Sequence, residues 1–232
     1  MSGAGTPDFF YREAQRLGYV ARSAFKLLQM QKQYTLISPG STVLDLGCAP
    51  GAWLQVACQS LGPKNNGGAV VGIDIKKVKV PSMHCDARVQ TVCADVMNIP
   101  KDQVRALSPK EKGFSVILSD MCPLVSGITT RDAALSAELG MRALDLAVGK
   151  AILSQSADCV KESAPSDDYN SSPGDNGILK PGGHLVIKLL ESEDVKEISQ
   201  ICKPLFKKAS WLRPKATRSC SREIYLICQG LR

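Results

Sequence analysis

Hydrophobic and polar positions alternate along the chain with two different periods, and these periods predict strands that alternate with helices. Short apolar runs predict strands at 42–46, 69–75, 89–96, 114–119, 184–190, 209–212 and 223–228. Apolar residues at helical spacing predict helices at 8–17, 21–32, 52–61, 101–107, 133–153, 178–180 and 194–206. This alternation is typical of a mostly parallel sheet covered on both faces, so the pattern predicts a single α/β domain over residues 1–232.

One segment interrupts the alternation. Residues 154–176 are rich in Ser, Asp, Asn and Pro, carry five acidic residues against one Lys, and show no periodicity. A segment of this composition has too little apolar surface to offset the entropy of ordering it. We therefore predict a mobile surface insertion between a helix and the following strand.

The turn after the first predicted strand combines small residues with the start of a helix. Gly47 and Gly51 have no Cβ, so a ligand can approach the backbone there. Backbone amides at the start of a helix point outward and bind polar ligand groups. Close packing of strand on helix would select the same small residues, so the turn alone leaves both interpretations open.

Four acidic residues fall at or near the carboxyl ends of predicted strands: Asp45, Asp74, Asp95 and Asp120. In parallel sheets, ligands bind beyond these ends. Asp74 follows Asp45 by one strand–helix–strand unit, where a carboxylate accepts hydrogen bonds from ribose hydroxyls. Asp95 could accept a hydrogen bond from an adenine amine. A single Asp often caps a helix instead, but four at strand ends favour a nucleoside ligand.

The glycine spacing distinguishes between nucleoside cofactors. Dinucleotide sites favour G-x-G-x-x-G, whereas here Gly47 and Gly51 are separated by a segment that contains Pro50. This disfavours a nicotinamide dinucleotide and favours S-adenosylmethionine, which has no pyrophosphate. The turn with Gly47 and Gly51 is then predicted to hold the methionine end of the cofactor.

The net charge of +7 is concentrated in two segments. Residues 203–222 hold seven basic residues and no acidic one, and residues 11–32 hold five basic residues and a single Glu. Two such segments favour a polyanionic partner, and a solvated basic face is the alternative.

Apolar runs and cysteine spacing exclude several other classes. No apolar run is long enough to span a membrane, and the first residues lack the apolar core of a secretory signal. The nine cysteines include no C-x-x-C pair, so we expect reduced thiols in a reducing intracellular compartment. Cytoplasm, nucleus and mitochondrial matrix stay open. His84, Cys85 and Cys93 match no zinc-ligand spacing, so we expect no metal.

Several segments, in this order, resemble the FtsJ/RrmJ family of S-adenosylmethionine-dependent RNA ribose 2′-O-methyltransferases. They lie at 21–27, 45–53, 119–123, 179–183, 186–188 and 221–225. The resemblance implies a Rossmann-like class I methyltransferase fold, with seven strands and the last one antiparallel. It places the family's catalytic tetrad on Lys26, Asp120, Lys188 and Glu223. It places its cofactor contacts on Gly51, Trp53, Asp74, Asp95 and Asp120.

Methyl transfer to a ribose hydroxyl gives these positions chemical roles. The hydroxyl is a weak nucleophile, so its proton must leave as the new bond forms. We predict Lys188 as the general base, with a pKa lowered by burial and by the cationic Lys26. Asp120 would orient Lys188, and Glu223 would pair with Lys26. Taken singly, each lysine could instead be an ordinary surface residue.

For an enzyme that acts on RNA, the two basic segments are predicted to form a surface that binds RNA phosphates. The predicted RNA-binding residues are Arg22, Lys26, Arg213, Lys215, Arg218 and Arg222. Tyr11, Tyr19 and Trp211 could stack on bases, although core packing is the more common role of such residues. Two positions depart from the family pattern, Leu124 in place of Asn or Asp and 189–191 in place of a glycine-containing turn.

The leading hypothesis is 2′-O-methylation of ribosomal RNA, at a uridine of the large subunit. Three alternatives stay open: methylation of a transfer-RNA anticodon loop, a catalytically silent RNA-binding or ribosome assembly factor, and a nicotinamide dehydrogenase. The expected partner is RNA, with no membrane association and a monomeric chain.

Overall fold

The computed structural model describes residues 9–149, 176–193 and 195–232. In these ranges the helices are α1 Phe9–Leu17, α2 Ala24–Tyr34, α3 Ala52–Ser60, α4 Lys101–Ala106, α5 Thr129–Val148 and α6 Val195–Leu205. The strands are β1 Thr42–Leu46, β2 Ala69–Asp74, β3 Val89–Cys93, β4 Phe114–Ser119, β5 Leu179–Leu190, β6 Phe206–Leu212 and β7 Glu223–Leu231. Among the described helices, none combines the length and apolar character that crossing a membrane requires.

Seven strands of the described chain form one sheet in the order β3-β2-β1-β4-β5-β7-β6. Neighbouring strands from β3 to β5 pair in parallel, whereas β7 lies antiparallel between β5 and β6. This confirms the predicted fold class, including the antiparallel last strand. The arrangement brings the ends of β1, β2, β4 and β5 to one edge of the sheet.

Both faces of the sheet are covered, which explains why β1 is apolar apart from Thr42 and Asp45. All five of its residues are buried. Leu44 and Leu46 belong to the apolar cluster that includes α5 and α6, and Val43 belongs to the cluster that includes α2 and α3. Alternate residues therefore face opposite layers of helices, as expected for a central parallel strand.

The predicted short helix at 178–180 is wrong, because β5 begins at Leu179 and Ile178 directly precedes it. Leu179 pairs with Phe114, and the register then shifts so that His184 pairs with Val116. The residues between are therefore extra and form a bulge in the strand. Ile178 is tied on both sides, since its amide donates to the Leu146 carbonyl and its carbonyl accepts from the Phe114 amide. These tertiary contacts override the local pattern.

Other boundaries move by a few residues. Helix α5 begins at Thr129 instead of 133, and β6 begins at Phe206 directly after α6. The end of the predicted helix at 150–153 lies outside the described residues. So does the predicted insertion at 154–176, apart from Asn176, whose carbonyl accepts a hydrogen bond from Arg105 at 2.9 Å.

Candidate functional site

A cavity of about 580 Å³ opens at the carboxyl edge of the sheet. Its floor is formed by strand ends and the following turns, and one wall is formed by α5. Its ionisable lining residues are Lys76, Asp74, Asp95, Asp120, Glu138 and Lys188. Apolar side chains between them include Ile75, Val96 and Leu139. Its size and mixed lining are those of a small-molecule site.

The turn after β1 contributes Gly47 and Ala49 to this cavity. The Gly47 amide donates to the Ile73 carbonyl at 2.9 Å, and the residue has a φ of +77°. A Cβ at Gly47 would lie 2.9 Å from Met121 Cγ, so the turn can approach the loop after β4 only with glycine here.

Gly51 and Trp53, which the resemblance assigns to the cofactor, do not line the cavity. Gly51 stands at the start of α3, packed against Pro81. Trp53 is buried, and its indole Nε1 donates to the Ser23 carbonyl at 2.9 Å, which ties α3 to the start of α2. Its ring lies 5.9 Å from that of Tyr225. In this structure both residues are therefore packing residues outside the cavity lining.

Asp74 and Asp95 line the cavity and are oriented by hydrogen bonds, three of the four from donors two or three residues away in sequence. The two Asp74 oxygens accept from the amides of Ala49 at 2.9 Å and Lys76 at 2.8 Å. Those of Asp95 accept from the Met97 amide at 2.9 Å and from Asn98 Nδ2 at 2.6 Å. A carboxylate oxygen can accept more than one hydrogen bond, so both groups retain capacity for a ligand.

The four tetrad positions form two ion pairs next to each other. Lys188 Nζ donates to the Asp120 carbonyl at 2.5 Å and lies 3.2 Å from Asp120 Oδ1. Lys26 pairs with Glu223. Tyr225 stands between the pairs: its hydroxyl donates to Asp120 Oδ1 at 2.8 Å, and Lys26 Nζ lies 5.8 Å from its ring centroid.

Sequence reasoning did not include Tyr225 among the site residues. A signal for it is present in the chain, because residues two apart in a strand share a face and Tyr225 follows Glu223 by two. The register of β5 against β7 places Tyr225 directly opposite Lys188. This fully buried tyrosine therefore links the two ion pairs.

The pKa of Lys188 corrects a sequence-based expectation. Burial lowers the pKa of this amine, as predicted, but the negative charges of Asp120 and Glu223 outweigh burial and raise the pKa above its ordinary value. Lys26 was expected to lower it further, yet Lys26 is paired with Glu223. Lys188 is therefore a charged ammonium at neutral pH in this structure.

Asp45 does not reach the cavity, although sequence reasoning grouped it with the strand-end acids. It lies within β1 and is completely buried, and neither carboxyl oxygen has a hydrogen-bond partner among the described residues. Burial, followed by the charges of Asp120 and Asp74, raises the pKa of Asp45 well above its usual range. The group is therefore expected to carry a proton at neutral pH.

Three of the predicted RNA-binding residues line a second cavity of about 360 Å³, between α2 and the loop that joins β6 to β7. They are Arg22, Lys26 and Arg218. The Arg22 guanidinium donates to the Ala216 carbonyl at 2.7 Å and lies 5.8 Å from the Phe10 ring centroid. This side chain is thus held in place at the cavity wall.

The other basic positions lie on the same loop or at its ends. Arg213 Nη1 lies 3.6 Å from a Glu191 carboxylate oxygen, Arg222 donates to the Glu191 carbonyl, and Lys215 is exposed. Of the aromatic candidates, Tyr11 and Trp211 are exposed, whereas Tyr19 is buried and stacks on His84.

Comparison with known proteins identifies relatives over nearly the whole chain. The family described as FtsJ-like methyltransferase matches residues 19–231. A ribosomal RNA large subunit methyltransferase E from Desulfosudis oleivorans is 34% identical over 225 residues, covering 97% of this chain and 91% of the relative. One of the same name from Methanocaldococcus jannaschii is 32% identical over 223 residues, covering 96% and 78%.

A solved structure shares the fold. It is titled as a ribosomal RNA methyltransferase from Plasmodium falciparum and superposes with a TM-score of 0.67 at 21% identity, covering 92% of this chain and 98% of that one.

Proposed function

The chain belongs to the FtsJ-like methyltransferase family, and from that premise we propose that it transfers a methyl group from S-adenosylmethionine to a ribose 2′-hydroxyl of ribosomal RNA. The acceptor we propose is a uridine of the large subunit. The observation that carries the proposal is the single cavity in which Lys188 and Asp120 stand with Asp74 and Asp95. The relatives named as ribosomal RNA large subunit methyltransferases support ribosomal RNA as the acceptor.

The charges of the cavity fit a cationic nucleoside cofactor. Four carboxylates line it against two lysines. A net negative cavity attracts a sulfonium and repels a pyrophosphate. This argues for S-adenosylmethionine and against the dehydrogenase alternative.

Residues of the cavity match the parts of that cofactor. Asp74 would accept from the ribose hydroxyls and Asp95 from the adenine amine, while Ile75 and Leu139 offer apolar contacts to the adenine. Gly47 leaves the backbone open at the methionine end. When bound, the cofactor supplies an electrophilic methyl group.

Lys188 is the residue that we propose as general base. It must first lose its own proton, and its raised pKa opposes that. A cationic ligand in the same cavity disfavours the ammonium form, so binding would lower the pKa of Lys188 toward neutrality. Asp120 holds the amine in place through its carbonyl and carboxylate. Lys26, paired with Glu223, would position the acceptor strand.

The basic residues around the second cavity would bind RNA phosphates. Arg22 and Arg218 line it together with Lys26, so the strand would run past the tetrad. Binding of this kind weakens as salt rises. We expect RNA to be the partner of a monomeric chain.

A transfer assay tests the proposed function. The purified chain is incubated with radiolabelled S-adenosylmethionine and either protein-free ribosomal RNA, large-subunit particles or total transfer RNA, and 2′-O-methyl positions are then mapped. We expect label at a large-subunit nucleotide. Label only in transfer RNA would favour the anticodon-loop alternative, and RNA binding without any transfer would favour a silent assembly factor.

A further inference from the structure

An apolar segment, residues 123–125, stands at the mouth of the main cavity with Leu124 and Val125 exposed; we call it the 123–125 lip. We propose that Leu124 of this lip contacts the base of the nucleotide that is methylated. The inference rests on the proposed function, because it concerns how that RNA acceptor is positioned.

The lip is exposed although the loop that carries it is fixed at both ends. Leu124 is 95% exposed and Val125 is 68% exposed. At one end the Asp120 amide donates to the Leu46 carbonyl at 3.1 Å. At the other end buried Asp132 accepts from the Ser126 amide at 2.8 Å and from the Ser126 hydroxyl at 2.7 Å. A fixed loop that holds large apolar side chains in solvent marks a contact surface.

The lip lies beside the reacting groups. Pro123 and Leu124 line the same cavity as Asp120 and Lys188. If Lys188 accepts the proton of the 2′-hydroxyl, that oxygen must come within hydrogen-bond distance of Nζ. The base is attached to C1′, the carbon next to C2′, so it must lie in the immediate surroundings of Lys188.

The charges around Lys188 favour the lip as the place for the base. On the β7 side the neighbouring groups are the Lys26–Glu223 ion pair and the basic cavity with Arg22, which suit the sugar–phosphate chain. On the loop side, residues 121–130 include no charged residue. An uncharged planar base has two apolar faces, so it packs better against such apolar side chains than beside charged groups.

Substitutions at the lip test this in the transfer assay. The probe is a protein-free ribosomal RNA fragment with the mapped acceptor nucleotide. We expect Leu124→Ala to lower kcat/KM for RNA about tenfold, mainly through KM, because it removes most of the apolar contact. The KM for S-adenosylmethionine should not change. Leu124→Phe should match or exceed the unsubstituted chain. Ile128→Ala is the matched control: Ile128 is 57% exposed in the same loop but does not line the cavity.

An abasic acceptor nucleotide gives the decisive comparison. If Leu124 acts on the base, Leu124→Ala and the unsubstituted chain should transfer to the abasic RNA at equal rates. A loss that persists on the abasic RNA would overturn the proposal, as would a raised KM for S-adenosylmethionine or unchanged kinetics. An effect seen only with intact particles would show instead that the lip binds a protein. Failure of the unsubstituted chain to methylate any RNA would refute the proposed function, which is a separate result.

Discussion

The two sides of the main cavity are built in different ways. On the β2–β3 side, Asp74 and Asp95 are oriented mostly by groups two or three residues away, and the donors are neutral amides. On the β4–β5–β7 side, the partners are charged or phenolic side chains that are far apart in sequence. Asp120 and Tyr225 are separated by 105 residues, and Lys26 and Glu223 by 197.

This difference predicts two kinds of response to substitution. On the β2–β3 side, a substitution should alter the affinity for the cofactor but not the pH dependence of transfer. On the β4–β5–β7 side, the ionisable groups share one charge network, so a substitution at any of them shifts the pKa of Lys188. Substitutions on both sides can therefore test this difference, if cofactor affinity and the pH profile of transfer are measured for each variant.

Lys188→Met should have the largest effect. Without a general base, transfer should fall by about 10³-fold, within the range that such bases supply. The affinity for S-adenosylmethionine should not change. Transfer is measured with radiolabelled cofactor, and the affinity is measured by calorimetry. The control is Lys196→Met, since Lys196 is an exposed lysine paired with Glu193 on the outer surface. Near-normal transfer by Lys188→Met would contradict its role as base.

Asp74→Asn should have the next largest effect, and this effect should be on cofactor affinity instead of the transfer rate. A hydrogen bond to a charged group contributes about 1.5–3 kcal/mol, so the Kd for S-adenosylmethionine should rise about 10- to 100-fold. At saturating cofactor, kcat and its pH profile should match those of the unsubstituted chain. Asp102→Asn, on an exposed turn of α4, serves as the control. A shifted pH profile in Asp74→Asn would show that the two sides are electrostatically coupled.

Tyr225→Phe should give a smaller effect that is specific to the second side. The substitution removes one hydrogen bond to Asp120. The loss of this donor concentrates negative charge on the carboxylate beside Lys188, and the pKa of Lys188 therefore rises further. Less neutral amine is then present at a given pH, so kcat at neutral pH should fall about tenfold and the pH–rate profile should move to higher pH. Cofactor affinity should stay unchanged. A lower kcat with an unmoved profile would indicate a purely structural role for Tyr225.

The same contrast explains what could be predicted from the sequence. The alternation of strands and helices, and the places of Asp74 and Asp95, follow from local periodicity and the geometry of parallel sheets. The pKa direction of Lys188 did not follow, because it depends on Asp120 and Glu223, which only the packed sheet brings together. The bulge at the start of β5 was missed for a related reason: Ile178 is held by residues of α5 and β4, not by its neighbours in sequence.

Asp45 lies beneath the junction of the two sides, and its substitution should have the smallest effect on transfer, since Asp45 does not line the cavity. Its pKa is raised on folding, so the native chain holds this proton more tightly than the unfolded chain does. The free energy of unfolding should therefore fall as pH rises above about 4, by up to about 1.4 kcal/mol per pH unit, until the folded pKa is passed. Asp45→Asn cannot titrate, so urea unfolding at a series of pH values should show this decline in the unsubstituted chain and in Asp102→Asn but not in Asp45→Asn. Equal slopes in all three proteins would mean that Asp45 is ionised in the fold, and its charge would then join both sides into a single network.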